Sequence, residues 1–204
     1  EYNPQLVITV DCGTSSCEAV AVASAAGVDV IVTDHHEPSD GIAEAFAVVN
    51  PKLGSCESAK ILAGVGVAFK LCHALVKAGM DAGRTIIEQV DLRRHLDLVA
   101  VGTIADIVPL SGENRILARH GLARLNKYPR LGLSELLNVA GVKGDVDSYH
   151  VGFVIGPRLN AAGRLGDAGR AMKLLLTEDL QIARDLAKEL DDINRERRRI
   201  EQAI

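Results

Sequence analysis

The sequence predicts an α/β fold: a mainly parallel sheet with helices on both faces, followed by a helical portion and a long linker helix. Three observations carry this. Two short, β-branched apolar runs, Leu6–Val10 and Val28–Val32, flank an Ala-rich helical segment with short links on either side. Such a strand–helix–strand unit almost always crosses over right-handed, with its strands parallel. From Ser58 onward the apolar residues recur largely at helical spacing, and charge becomes dense toward the end. With 204 residues, 48% of them hydrophobic, the chain can bury a substantial core.

The first run, Leu6–Val10, reads as a strand that stops at Asp11-Cys12-Gly13-Thr14. Residues 16–26 read as a helix with Ser15 or Ser16 at its start. Val28–Val32, bounded by Gly27 and Pro38, reads as a buried strand that ends in Thr33-Asp34-His35-His36-Glu37. Parallel pairing brings Asp11 and the two histidines to one rim, the carboxyl edge where open parallel sheets bind ligands. Two imidazoles and several carboxyl groups gathered there suit a metal site. Without further support the same cluster also reads as a polar turn.

Ala45–Asn50 reads as a third strand, closed by Pro51, and residues 58–77 as a helix. Gly64-Val65-Gly66 lacks both the third glycine and the preceding strand of a nucleotide loop, so close helix packing accounts for it better. His73, His95, His120 and His150 stand alone and read as core or surface residues. Residues 84–110 hold a helical run and then an apolar stretch in which Asp106 is the single charge. An isolated buried carboxylate needs a partner, a proton or a metal. Asp106 is therefore a candidate ligand for the rim cluster, with a helix-capping or solvent-facing Asp as the alternative.

Residues 112–125 form a basic amphipathic helix and residues 133–139 a short one, and residues 143–148 are a polar loop. Gly156 to Leu165 reads as a small-residue loop in which Arg158, Asn160 and Arg164 suit a phosphate, since guanidinium forks match phosphate oxygens. A surface turn with solvated arginines is the alternative. Residues 168–176 are helical. From Glu178 on, Leu180, Ala183, Leu186, Leu190 and Ile193 give helical periodicity, and the basic run Arg195–Arg199 reads as a solvated face or a nucleic-acid track.

Composition narrows the function. Aromatics are 3% of the chain and Trp is absent, so base-stacking platforms are not advertised. The net charge of −4 gives no overall attraction to nucleic acid, although divalent metals change the local field. Cys12, Cys17, Cys56 and Cys72 form no CxxC pair and read as reduced, mostly buried thiols. No apolar run approaches a membrane span, and no leader is visible, so a cytoplasmic protein without membrane partners is expected. The chain starts without Met and stops inside a helical pattern, which suggests a piece of a longer protein.

Together, VDCG at residues 10–13, TDHH at 33–36, VGTIADIVPL at 101–110 and RLNAAGR at 158–164 resemble successive motifs of the DHH phosphoesterase superfamily. The combination is similar to its branch of single-stranded-DNA-specific exonucleases. That resemblance implies a hydrolase using two divalent metals, Mn²⁺ or Mg²⁺, to cut a phosphodiester, here 5′-to-3′ on single-stranded DNA in recombination and repair. It implies Asp11, His35 and Asp106 as metal ligands. His36 would lie at the scissile phosphate, and Asp34 would steady the imidazoles. Arg158, Asn160 and Arg164 would hold the substrate phosphate. Single-strand-binding protein and a helicase would be partners of the intact protein. The family's first Asp-x-Asp-Gly motif is absent here. Residues 1–176 are thus expected to be the catalytic domain without its first strand, and residues 177–204 the start of a linker helix to a further domain. Alternatives are a phosphodiesterase for short RNA or cyclic dinucleotides, and a non-catalytic replication scaffold.

Overall fold

The structure, a computed structural model, describes residues 3–39, 41–165 and 167–202, without the side chains of residues 164 and 165. It divides into two compact units, residues 1–118 and 119–204.

The first unit is built on three parallel strands, β1 (Leu6–Val10), β2 (Asp29–Thr33) and β3 (Ala47–Val49), in the order β1-β2-β3. Val10 pairs with Thr33, and Thr33 with Val49, so all three strands end level with one another. Helix α1 (Cys17–Ala25) connects β1 to β2. Val20 of α1 packs on Val30 and Val32, which share one face of β2 because side chains alternate along a strand. Helix α2 (Gly64–Asp81) packs against β1 and β2, so helices cover both faces of the sheet as the sequence predicts. β1 is an edge strand, and Leu6, Ile8 and Val10 on it are exposed. Helix α3 (Leu96–Ala105) lies against α2 and buries Val99, Ala100 and Val101.

Helix α4 (Gly112–Lys127) carries the chain from the first unit into the second. The second unit is helical: α5 (Leu131–Val139), α6 (Ser148–His150), a π-helical stretch Val151–Ile155, α7 (Gly156–Leu165), α8 (Gly169–Leu176) and α9 (Leu180–Gln202). Its core holds Leu133, Leu136, Ile155, Leu174, Ala187 and Leu190, all fully buried. At burial coefficients of about 25 cal/mol per Å², each large aliphatic side chain among them contributes about 1.5–3 kcal/mol to folding.

Several expectations are corrected. Residues 156–165 form a helix, not a loop: it continues directly from the π-helical stretch Val151–Ile155, and Pro157, which brings no N–H, sits in its first turn. Helix α9 packs against α5, α7 and α8 and buries Ala183, Leu190 and Asn194. Helix α2 begins at Gly64 rather than at residue 58: Glu57–Ala59 form a separate short 3-10 turn, and the Leu62 carbonyl turns to the site described below. The four cysteines are free but exposed rather than buried. No helix of the described residues is long and apolar enough to cross a membrane.

Candidate metal centre

The level ends of β1 and β2 fix the site. The Asp11 N–H donates to the Thr33 carbonyl at 2.9 Å, so β1 stays paired up to the residue that carries the first carboxylate. Asp11 then turns left-handed, with φ 66°, a conformation Asp tolerates better than most residues. Gly13 follows with φ 112°, where a side chain would also strike Thr9 Oγ1 and Val32. The turn aims the Asp11 carboxylate back across the end of β2.

His35 and His36 have different jobs. The His35 Nδ1 lies 3.1 Å from the Leu62 carbonyl oxygen. A carbonyl only accepts, so Nδ1 carries a proton and Nε2 is the ring nitrogen left to face the site. That Nε2 is buried, with no hydrogen-bond partner among the described residues. It faces Asp11 Oδ1 at 3.1 Å and Asp106 Oδ2 at 3.5 Å. One imidazole nitrogen and two carboxylates thus converge on one space.

His36 is more exposed and is tied to Asp34: its Nδ1 donates to Asp34 Oδ1 at 2.7 Å. The hydrogen bond to Asp34 raises the His36 pKa, against the effect of burial. Asp34 is buried and accepts from three backbone N–H groups, those of Thr14 (3.0 Å), His35 (2.8 Å) and His36 (3.2 Å). Burial works against its charge, but the hydrogen bonds from Thr14 and His36 prevail and hold its carboxyl far below the usual range. Asp34 therefore fixes the turn that presents both rings, while its own oxygens are spent on protein N–H groups. Asp106, at the C-terminal cap of α3, is partly exposed rather than buried as the sequence suggests. Its pKa is raised, first by desolvation and further by Asp11, with His35 acting in the opposite direction.

The donor set fits a divalent ion of the Mn²⁺ or Mg²⁺ class, which takes carboxylate and imidazole ligands. Neighbouring ligands at about 2.1 Å in an octahedron stand about 3 Å apart, close to the 3.1 and 3.5 Å seen here. Ligand atoms of Asp11, His35 and His36 also lie within 4.8 Å of one another, so His36 borders the same space.

The structure also reveals participants that sequence reasoning missed. The Leu62 carbonyl, as backbone, leaves no trace in residue type. Asn50 is buried, and its Nδ2 donates to Thr14 Oγ1 and to the His36 carbonyl, both at 2.9 Å. Gly64 reads as a helix-packing glycine in the sequence; in the structure, a Cβ there would fall 2.1 Å from Asp11 Oδ1. Gly64→Ala is thus expected to push the Asp11 carboxylate aside, weakening metal binding about tenfold at a stability cost of about 1–3 kcal/mol. Calorimetric Mn²⁺ titration beside a thermal melt checks both numbers; unchanged affinity would mean that Asp11 is not a ligand.

The remaining candidates lie in the second unit. Arg158 points its guanidinium at buried Asp191, with Nε and Nη2 each 2.9 Å from Oδ1, and donates from Nη1 to the Val154 carbonyl. Arg195 closes the other oxygen of Asp191 at 2.6 Å. Asn160 is exposed on α7, and the side chain of Arg164 lies outside the described residues. In the basic run at the end of α9, Arg197 pairs with Glu201 and Arg199 with Glu196.

Residues 1–103 match the DHH family, N-terminal domain. The chain is 46% identical over 197 residues to the single-stranded-DNA-specific exonuclease RecJ of Bacillus subtilis, covering 96% of this chain and 24% of that protein. It is 47% identical to the protein of the same name from Salmonella typhimurium, covering 98% of this chain and 36% of that one. The chain thus spans about a quarter to a third of the length of these relatives. Among solved structures it is similar to exonuclease RecJ bound to manganese (TM-score 0.84, 39% identity, 98% of this chain and 49% of that one). It is also similar to RecJ in complex with Mn²⁺ from Thermus thermophilus (TM-score 0.83, 40% identity, 98% and 29%). A RecJ complex with Mg²⁺ from the same organism matches with a TM-score of 0.73 (39% identity, 98% and 27%).

Proposed function

This chain belongs to the DHH family, and on that premise we propose that it supplies the metal-binding core of a single-stranded-DNA-specific exonuclease. The observation that carries the reading is the Nε2 nitrogen of His35, its ring held by Leu62 and turned to two carboxylates. Asp11, His35 and Asp106 hold the ion, Mn²⁺ or Mg²⁺, the ions bound in the solved relatives. When bound, such an ion polarises the phosphodiester and activates water for attack.

The rest is the work of this chain's residues. His36, with Nδ1–H held by Asp34, keeps Nε2 toward the substrate, and its raised pKa favours the protonated ring. That ring donates a charge-assisted hydrogen bond to a phosphate oxygen and steadies the leaving group. Asp34 holds His36 in this orientation without touching substrate. Arg158, Asn160 and Arg164 serve the substrate phosphate on the strength of their chemistry, two guanidiniums and an amide. Arg158 has to share its guanidinium with Asp191 to do so. A second ion would need carboxylates beyond this set. Residues 1–176 are proposed as the catalytic domain, working in the cytoplasm beside single-strand-binding protein and a helicase in recombination and repair.

The test compares turnover of 5′- and 3′-labelled single-stranded DNA, duplex DNA, short RNA and cyclic dinucleotides with Mn²⁺ present, in the full-length protein. Preferential release of nucleotides from the 5′ end of single strands is expected. Faster turnover of short RNA or a cyclic dinucleotide would move the chain to another DHH activity, and no turnover of any would favour a scaffold.

A further inference from the structure

We propose that Asn114 is a positioning residue that sets the separation of the two segments forming the metal cradle: the one that orients His35 and the one that descends from Asp106. The proposal rests on the reading that this cluster holds a divalent metal. Asn114 sits on the first turn of α4 and is fully buried. Its Nδ2 donates to the Ile61 carbonyl at 2.6 Å and to the Pro109 carbonyl at 3.1 Å. Both partners only accept, so the chemistry itself orients the amide with its nitrogen toward them.

Each carbonyl belongs to a segment of the site. Ile61 precedes Leu62, whose own carbonyl holds the His35 ring in the tautomer that frees Nε2. Pro109 lies three residues beyond Asp106. Between them the chain passes through Ile107 at φ 60°, a left-handed conformation that a β-branched residue adopts only against strain. The Ile107 side chain is almost wholly exposed, so packing does not hold it there. The hydrogen bond at Pro109 ties down the far end of that strained turn. One amide nitrogen thereby spans the segment behind His35 and the segment below Asp106, whose side chains stand 3.5 Å apart.

Packing alone does not account for an amide at this position. The Asn114 Oδ1 is buried without a hydrogen-bond partner among the described residues, a cost that an apolar side chain of similar volume avoids. What an apolar side chain lacks is the paired donation. The exposed Lys70–Glu113 ion pair at 2.7 Å also links the same turn of α4 to α2.

The test uses Asn114→Ala, which removes the donor, and Asn114→Ser, which keeps a single one, in the full-length protein. Nitrogen-15 NMR of the metal-free protein reads the His35 tautomer, and calorimetry reads Mn²⁺ affinity. In Asn114→Ala the Nδ1–H tautomer of His35 is expected to give way to a mixture and Mn²⁺ to bind about tenfold more weakly, with Asn114→Ser in between. An unchanged tautomer together with affinity within about twofold of wild type, while only the melting temperature falls, would reduce Asn114 to a packing residue and overturn the proposal. If wild type itself bound no Mn²⁺, the metal reading would fall, and the tautomer would still decide what Asn114 does.

Discussion

His35→Ala is expected to lower phosphodiester hydrolysis by about 10³-fold while leaving the fold in place. The imidazole Nε2 lies between two carboxylates and has no hydrogen-bond partner among the described residues. Without it, Asp11 and Asp106 face each other as like charges with one ligand fewer. A bound ion contributes several kcal/mol of transition-state charge stabilisation, and a loss of about 4 kcal/mol corresponds to about 10³ in rate. Stability suffers far less, since folding forfeits the Nδ1–Leu62 hydrogen bond, worth about 1 kcal/mol. Steady-state hydrolysis across a Mn²⁺ series, with a melt on the same sample, separates the two effects. Activity within about tenfold of wild type at every Mn²⁺ concentration would remove His35 from the ligand set.

Asp34→Ala is expected to do the opposite: a large loss of stability, about 4 kcal/mol, or roughly 10 °C in melting temperature. It would strip the backbone N–H groups of Thr14, His35 and His36 of their shared acceptor, in a place where solvent barely reaches. The pH dependence follows from the same bonds. The Asp34 carboxyl is depressed on folding, so its contribution is present above the ordinary Asp value of about 3.9 and fades as pH falls toward the folded value. His36 is raised on folding, so its contribution is complete below about 6.5 and fades as pH rises through the folded value. The Asp34–His36 contact enters both shifts and counts once, while the Thr14 hydrogen bond lowers Asp34 alone. Wild type should therefore gain most from this pair between about pH 4 and pH 6.5, and Asp34→Ala should lack that maximum. Melting curves from acid to neutral pH that ran parallel for the two proteins would show that the pair contributes nothing to folding.

The half of the site that lies on strands was legible in the sequence. Two β-branched runs with polar ends, joined by one short helix, are enough to place Asp11 beside His35, because parallel pairing leaves little freedom in where strands end. Asp106 was legible as a lone charge in an apolar stretch, although it sits at a helix cap rather than in the interior. The other half was hidden for physical reasons. Leu62 acts through its carbonyl, which every residue possesses. Gly64 resembles any helix-packing glycine until the Asp11 carboxylate is seen against it. Asn50 and Asn114 do their work by donating to backbone carbonyls remote in sequence, for which residue spacing carries no signal. Gly156, Pro157 and Gly163 look like the punctuation of a loop, yet they lie in α7, which packs against α8 and α9. Reading a loop there also hides the partner of Arg158, because its pairing with Asp191 appears only once α7 and α9 lie side by side.

The most direct test of the metal centre is a calorimetric Mn²⁺ titration of the full-length wild-type protein and of its Asp11→Ala, His35→Ala and Asp106→Ala variants. The geometry requires saturable binding by wild type that weakens in all three variants. Binding of equal strength in all four proteins would place the ion elsewhere, and no binding by wild type would leave the cluster a polar turn.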